Sequence, residues 1–249
     1  MNNLKKRKSD PLFKDSIPSV QMADCHPVYL HLHHDIGCHL YPCRMPDGGQ
    51  SAANAIAFLW ANLCLGIVPL RVVVKGRTNY EKNHPYVVVA NHQSMTDIPA
   101  ILANIHLHIK WIMKKELKKI PIFGFACTQL GCIYVDRSDH DAAIKSIERA
   151  KQKLADNAAV LFFAEGTRSR DGKVMPFKKG AFRFAMETGL PILPVTIKKS
   201  NSVLPSASLD LTPGTIEIII HRPINVFDYH EEKLDNLMEN TRKIIADEL

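Results

Sequence analysis

The sequence predicts an α/β domain, a three-layer sandwich in which a mostly parallel or mixed central sheet is flanked by helices. Three observations predict it. From about residue 70 onward, short apolar runs alternate with stretches of helical periodicity. Several of those runs are apolar on both faces, the mark of strands covered by helices on both sides. The length of 249 residues, with 46% hydrophobic and 23% charged, suits one large packed domain and excludes a disordered, collagen-like or coiled-coil chain.

The predicted strands, rich in Val, Ile and Phe, are Leu70–Lys75, Tyr86–Ala90, Ile109–Met113, Cys132–Val135, Val160–Phe163, Ile192–Ile197 and Ile216–Ile220. The predicted helices are Asp97–Asn104, Ile122–Leu130, Ala142–Asp156, Ala181–Thr188 and Glu231–Glu248. No repeat or linker divides this region, so 71–249 reads as one domain. Residues 1–50 read as an atypical, poorly ordered extension, rich in Pro, His and polar residues. The cluster Cys25, His26, His31, His33, His34, Cys38, His39 and Cys43 invites a zinc ion, but its spacings match no structural zinc site, so no metal is expected. The basic start, Met1 to Lys8, is followed by no apolar stretch, so no secretory signal is expected. The six cysteines contain no Cys-x-x-Cys pair and read as reduced thiols of a cytosol-facing protein.

Residues 51–70 read as an N-terminal amphipathic helix. From Gly48 to Leu70 no residue is charged, and Ile56, Leu59, Trp60, Leu63 and Ile67 recur at helical spacing. Gly66 and Pro69 end the pattern. A helix over 52–66 is about 22 Å long, short of the roughly 30 Å hydrocarbon core of a bilayer. The expectation is a helix lying in a membrane interface, with ordinary packing on the domain as the plainer alternative.

Basic residues outnumber acidic ones by 32 to 25, giving a net charge of +7 and a pI near 9.1. Such a balance favours an anionic partner. No helix-turn-helix, zinc-finger or aromatic RNP signature is present, so nucleic acid is not the expected one. The run Lys110, Lys114, Lys115, Lys118 and Lys119 is expected to face anionic head groups or simply solvent.

Two constellations carry chemistry. The first, Asn91-His92-Gln93-Ser94-Met95-Thr96-Asp97, follows directly on an apolar strand. Ligands gather beyond the carboxyl ends of strands in open α/β sheets, so His92 is placed for chemistry. An imidazole titrates near neutral pH and works best as a base when a carboxylate holds its other nitrogen. Asp97, five residues on at a helix start, can turn back to do so. The alternative is that Asp97 merely caps the helix and His92 is a polar turn residue. Ser94 as a nucleophile is disfavoured, because no G-x-S-x-G elbow surrounds it. The second constellation, Phe162-Phe163-Ala164-Glu165-Gly166-Thr167-Arg168-Ser169, is again a strand running into a polar turn. Gly166 permits close backbone approach, and Arg168 offers a fork suited to phosphate. The alternative is a solvated loop with Glu165 paired to Arg168. Arg137, at the end of Gly131-Cys132-Ile133-Tyr134-Val135-Asp136-Arg137, is a second phosphate candidate or a partner of Asp136. In Leu190-Pro191-Ile192-Leu193-Pro194-Val195 the two prolines suggest a strand entry or edge.

In this order the blocks resemble the 1-acyl-sn-glycerol-3-phosphate acyltransferases, the lysophosphatidic acid acyltransferase family. His92 and Asp97 match N-H-x-x-x-x-D, and Gly131, Tyr134, Val135 and Arg137 match G-x-x-[FY]-[IV]-x-R. Glu165 to Ser169 match E-G-T-R-[ST], and Leu190–Val195 match a V-P-[IV]-[IV]-P-V strand in type. Ala164 stands where the family has Pro, Leu190 replaces a β-branched residue, and residues 1–50 have no counterpart. The resemblance implies phospholipid biosynthesis: a fatty acyl group passes from acyl-CoA or acyl-carrier protein to the sn-2 hydroxyl of lysophosphatidic acid, giving phosphatidic acid. It implies His92 as base, Asp97 as its partner, and Glu165, Gly166, Thr167, Arg168 and Arg137 as binders of the acceptor's glycerol phosphate. No cofactor or metal is implied, only the thioester co-substrate. A peripheral or monotopic seat on the cytoplasmic face of the inner membrane follows, with the lipid membrane itself as a partner. A different acceptor, lyso-ornithine lipid or glycerol 3-phosphate, and a non-catalytic lipid-binding role are the alternatives.

Overall fold

A computed structural model describes residues 20–21, 50–136, 158–229 and 233–249. The predicted helix at Ala142–Asp156, Arg137 and the Cys/His cluster of residues 25–43 lie outside the described residues. Helix α1 (Gln50–Ile67) leads into β1 (Leu70–Lys75), and β2 (Val87–Ala90) precedes α2 (Asp97–Asn104). Strand β3 (Ile109–Lys114) is followed by a 3₁₀ turn (Lys115–Lys119), α3 (Phe123–Gln129) and β4 (Ile133–Val135). Then come β5 (Ala159–Phe163), α4 (Gly180–Thr188), β6 (Ile192–Lys198), β7 (Gly214–Ile220) and α5 (Leu234–Ala246). Each main-sheet strand lies within two residues of its predicted bounds, the usual fraying of element ends.

The seven strands pair in the order β1-β7-β6-β2-β5-β3-β4. Every neighbouring pair is parallel except β6–β7, so the sheet is mixed. Strand β2 at its centre is buried over its whole length. Its residues alternate: Val88 and Ala90 join a core with α1 and α2, while Val87 and Val89 join one with α4 and α5. That period of two on a doubly covered strand is what makes the sandwich three layers deep.

Two expectations need correction. Pro194 lies inside the interior strand β6 and not at an entry or edge. The missing N–H is tolerated because it points toward β7 where that ladder lapses, between the His221 N–H bond to the Pro194 carbonyl and the bridge from Ile192 to Ile224. Lys110 faces neither head groups nor water: it is 7% exposed and donates to the Leu130 carbonyl at 3.3 Å.

Helix α1 packs through small residues. Ala53, Ala57 and Ala61, with Cys64 and Leu65, form its buried face, and α1 packs against α2. Phe58, Leu59, Leu63 and Ile67 point outward, with Phe58 48% and Leu59 59% exposed. Among the described residues no helix is long and apolar enough to cross a membrane.

Candidate active site

Strand β2 delivers the first constellation and α2 closes it. Asp97, the first residue of α2, is fully buried. Its Oδ2 accepts three bonds: from His92 Nδ1 at 2.8 Å, from the Gln93 N–H at 2.8 Å and from the Ser94 N–H at 2.9 Å. The spacing of five residues is therefore the length of a turn that folds back on one carboxylate oxygen. An ionised carboxylate only accepts, so Nδ1 carries the proton and Nε2 keeps its lone pair. The imidazole stacks on Phe163 at 3.9 Å between centroids with the planes 12° apart. Asn91 anchors the base of the turn, donating to the Ile197 carbonyl at 2.9 Å and accepting from its N–H at 2.8 Å. Ser94 is buried and its hydroxyl donates to the Leu204 carbonyl at 2.8 Å, which takes it out of consideration as a nucleophile.

Strand β5, parallel to β2, delivers the second constellation alongside the first. Gly166 takes φ +78°, a conformation that favours glycine, and the turn exposes Thr167 and half-buries Arg168. The two turns are laced together. The Glu165 Oε1 accepts from the His92 N–H at 2.8 Å, and the His92 carbonyl accepts from the Ser169 N–H at 2.8 Å. The Glu165 Oε2 accepts from the Met175 N–H at 2.9 Å. Glu165 is 2% exposed with both oxygens engaged, so it lies behind the site and ties its two turns together. Burial pushes its carboxyl above the usual range, and the two backbone N–H groups pull it partly back.

A cavity of about 520 Å³ opens at His92. Gly166, Thr167, Arg168 and Lys114 are among the residues that line it. The remaining wall is almost wholly apolar and includes Ile56 and Trp60 of α1, Trp111 of β3 and Phe123 of α3. So His92, Asp97, Glu165, Gly166, Thr167 and Arg168 are brought together, while Arg137 lies outside the described residues. The sequence placed Asn91 and Phe163 inside the two constellations without a role for either, and put Lys114 in the lysine run. Lys114 is exposed like Lys115, Lys118 and Lys119, but unlike them it lines the cavity.

Two parallel strands thus end in polar turns beside one largely apolar cavity. The acyltransferase family model matches residues 71–198, and the chain belongs to that family. It is 36% identical over 197 residues to the chloroplastic 1-acyl-sn-glycerol-3-phosphate acyltransferase LPAT1 of Arabidopsis thaliana, covering 78% of this chain and 53% of the relative. It is 32% identical over 156 residues to human 1-acyl-sn-glycerol-3-phosphate acyltransferase alpha, covering 62% of this chain and 55% of the relative. The chain thus spans about half the length of the curated relatives it matches. The crystal structure of the 1-acyl-sn-glycerophosphate acyltransferase PlsC from Thermotoga maritima superposes with a TM-score of 0.74 at 29% identity, covering 91% of this chain and 92% of that one.

Proposed function

We propose that the protein moves a fatty acyl group from acyl-CoA or acyl-carrier protein to the sn-2 hydroxyl of lysophosphatidic acid, giving phosphatidic acid. The observation that carries this reading is a carboxylate-held imidazole at the junction of an apolar cavity and a cationic rim. The acyl chain occupies the apolar length, and the acceptor phosphate meets Arg168 and Lys114. His92 Nε2 takes the hydroxyl proton as the oxygen attacks the thioester carbonyl. The resulting imidazolium, held by Asp97, returns the proton to the departing thiolate, a good leaving group because thiols are acidic. The Gln93 and Ser94 amides are consumed by Asp97, so the oxyanion donors are sought in the Gly166–Arg168 turn. Glu165 acts as a positioning residue. No step requires a metal or a covalent enzyme intermediate.

The deciding assay uses purified protein in detergent with acyl-CoA and lysophosphatidic acid, following thiol release. Glycerol 3-phosphate serves as the rival acceptor, and release with neither acceptor sinks the proposal. Arg168→Ala is expected to raise KM for lysophosphatidic acid far more than it lowers kcat. A charge-assisted hydrogen bond is worth about 1.5–3 kcal/mol, or roughly 10–100-fold in KM. An unchanged acceptor KM removes Arg168 from the phosphate site.

The same reading seats the protein on the cytoplasmic face of a membrane as a peripheral or monotopic enzyme. Exposed Phe58, Leu59, Leu63 and Ile67 on α1 supply an apolar face, and Lys115, Lys118 and Lys119 are exposed charges on the turn that also bears the half-buried cavity residue Leu117. Replacing Phe58 and Leu59 together by Asp is expected to weaken binding to anionic phospholipid vesicles by about tenfold or more, since each large apolar side chain contributes about 1.5–3 kcal/mol on burial. Undiminished co-sedimentation of that variant with vesicles would put the docking face elsewhere.

A further inference from the structure

We propose that Cys127 and Cys132 form a redox-active dithiol in the wall of the cavity, which a peroxide converts to an intramolecular disulfide. Helix α3 ends in a Schellman motif. The Cys132 N–H bonds the Cys127 carbonyl at 2.9 Å, the Gly131 N–H bonds the Thr128 carbonyl at 3.0 Å, and Gly131 takes φ +70°. This cap brings the side chain at its last position onto the one five residues earlier, a contact usually made by two apolar groups. Here both are cysteines with free thiols, and both line the cavity. The contact that this cap makes is the close Cβ approach that a disulfide requires.

The two thiols are not equivalent. Cys127 first, and then the Trp111 backbone and the buried Lys110 ammonium, hold the Cys132 thiol below its ordinary pKa against the opposing effect of burial, and the net effect favours its thiolate. Cys127 is 7% exposed, and the thiolate beside it together with burial pushes its own pKa far up. Cys132 is half-buried, and both residues line the cavity, which gives a small oxidant a path. A thiolate within reach of solvent beside a resolving thiol is the arrangement of redox-sensing cysteines. The Cys132 thiolate attacks a peroxide oxygen, the O–O bond breaks, and the departing hydroxide leaves as water once protonated. Cys127 sulfur then attacks the Cys132 sulfenic acid, and its proton leaves with the displaced hydroxyl as a second water. Two thiols lose two electrons and the peroxide gains them.

A consequence rests on the proposed function: an acyl chain filling the cavity covers Cys132 and shields it from oxidation.

Both cysteines fall in one tryptic peptide, residues 120–137, so the test is direct. The full chain in detergent is treated with hydrogen peroxide, and free thiols are then alkylated. The expected product is that peptide, two hydrogens lighter and closed to alkylation, restored by dithiothreitol. Cys64→Ala should behave as wild type. Cys127→Ser should accumulate a sulfenic acid at position 132 that a cyclic dione traps, and Cys132→Ser should leave Cys127 unoxidised. Two alkylatable thiols in treated wild-type peptide, or equal oxidation of Cys127 in Cys132→Ser, overturns the dithiol. A saturating long-chain acyl-CoA should slow disulfide formation by about tenfold or more. Disulfide formation at an undiminished rate overturns the shielding and the acyl reading of the cavity, while the dithiol stands.

Discussion

Replacing His92 with alanine is expected to lower kcat by roughly 10²–10⁴-fold, the usual share of a positioned acid–base group, and to leave the fold in place. That loss corresponds to about 2.7–5.5 kcal/mol of transition-state stabilisation. The fold survives because the carboxylate beneath the ring keeps other work. Asp97 Oδ2 retains the Gln93 and Ser94 N–H groups, so the turn stays closed without the imidazole. The backbone of residue 92 remains tied to Glu165 and Ser169. What disappears is the Nε2 lone pair and the stack on Phe163. Asp97→Asn is the informative companion. Its amide oxygen can still accept the two backbone bonds, but its lack of charge no longer steadies the imidazolium or enforces the tautomer. Steady-state kinetics with matched circular dichroism spectra are the check. If His92→Ala keeps a tenth of wild-type kcat, another group is the base.

Much of this architecture was legible in advance because parallel strands buried on both faces advertise themselves. Runs such as Val87–Ala90 and Ala159–Phe163 have no polar face to confuse with a loop, and the motif residues stand at their carboxyl ends. What was not legible depends on which neighbour a residue meets. The pattern in α1 drew attention to its large residues, yet Ala53, Ala57 and Ala61 form the packed face while Leu59 and Leu63 point outward. Periodicity reports a stripe, and a helix that is apolar on two sides has two of them. Lys110 looked like one more surface lysine because nothing local reveals that its ammonium turns inward to the Leu130 carbonyl. Glu165 resembled a ligand because it shares its turn with Gly166, Thr167 and Arg168, which line the cavity. Its acceptors' partners, the N–H groups of residues 92 and 175, come from segments distant in sequence from one another and separated by whole strands.

Glu165→Ala is expected to be the most damaging change among residues that do not face the cavity. It orphans the N–H groups of His92 and Met175, bonded at 2.8 and 2.9 Å, in a region where Glu165 is 2% exposed. Each unsatisfied buried donor costs about 1–3 kcal/mol, so a combined loss of about 2–6 kcal/mol, or roughly 4–24 °C in Tm, is expected. Turnover falls too, by about 10²-fold, because the turn bearing His92 keeps only the Ser169 N–H bond to the turn bearing Arg168 and loses the side-chain tie. The pH dependence separates this account from simple loss of packing. Burial raises the Glu165 carboxyl above its unfolded value, outweighing the two N–H bonds that lower it. For a raised pKa, the stability contributed by the group is fully present below the unfolded pKa and is lost as pH rises through the folded one. The alanine variant lacks that titration. The stability gap between wild type and Glu165→Ala should therefore be widest on the acid side of the ordinary glutamate range and narrow toward neutrality. Chemical denaturation of both proteins across that range measures it. A gap that stays constant, or widens with rising pH, would show that the carboxylate does not bridge the two turns from a desolvated position.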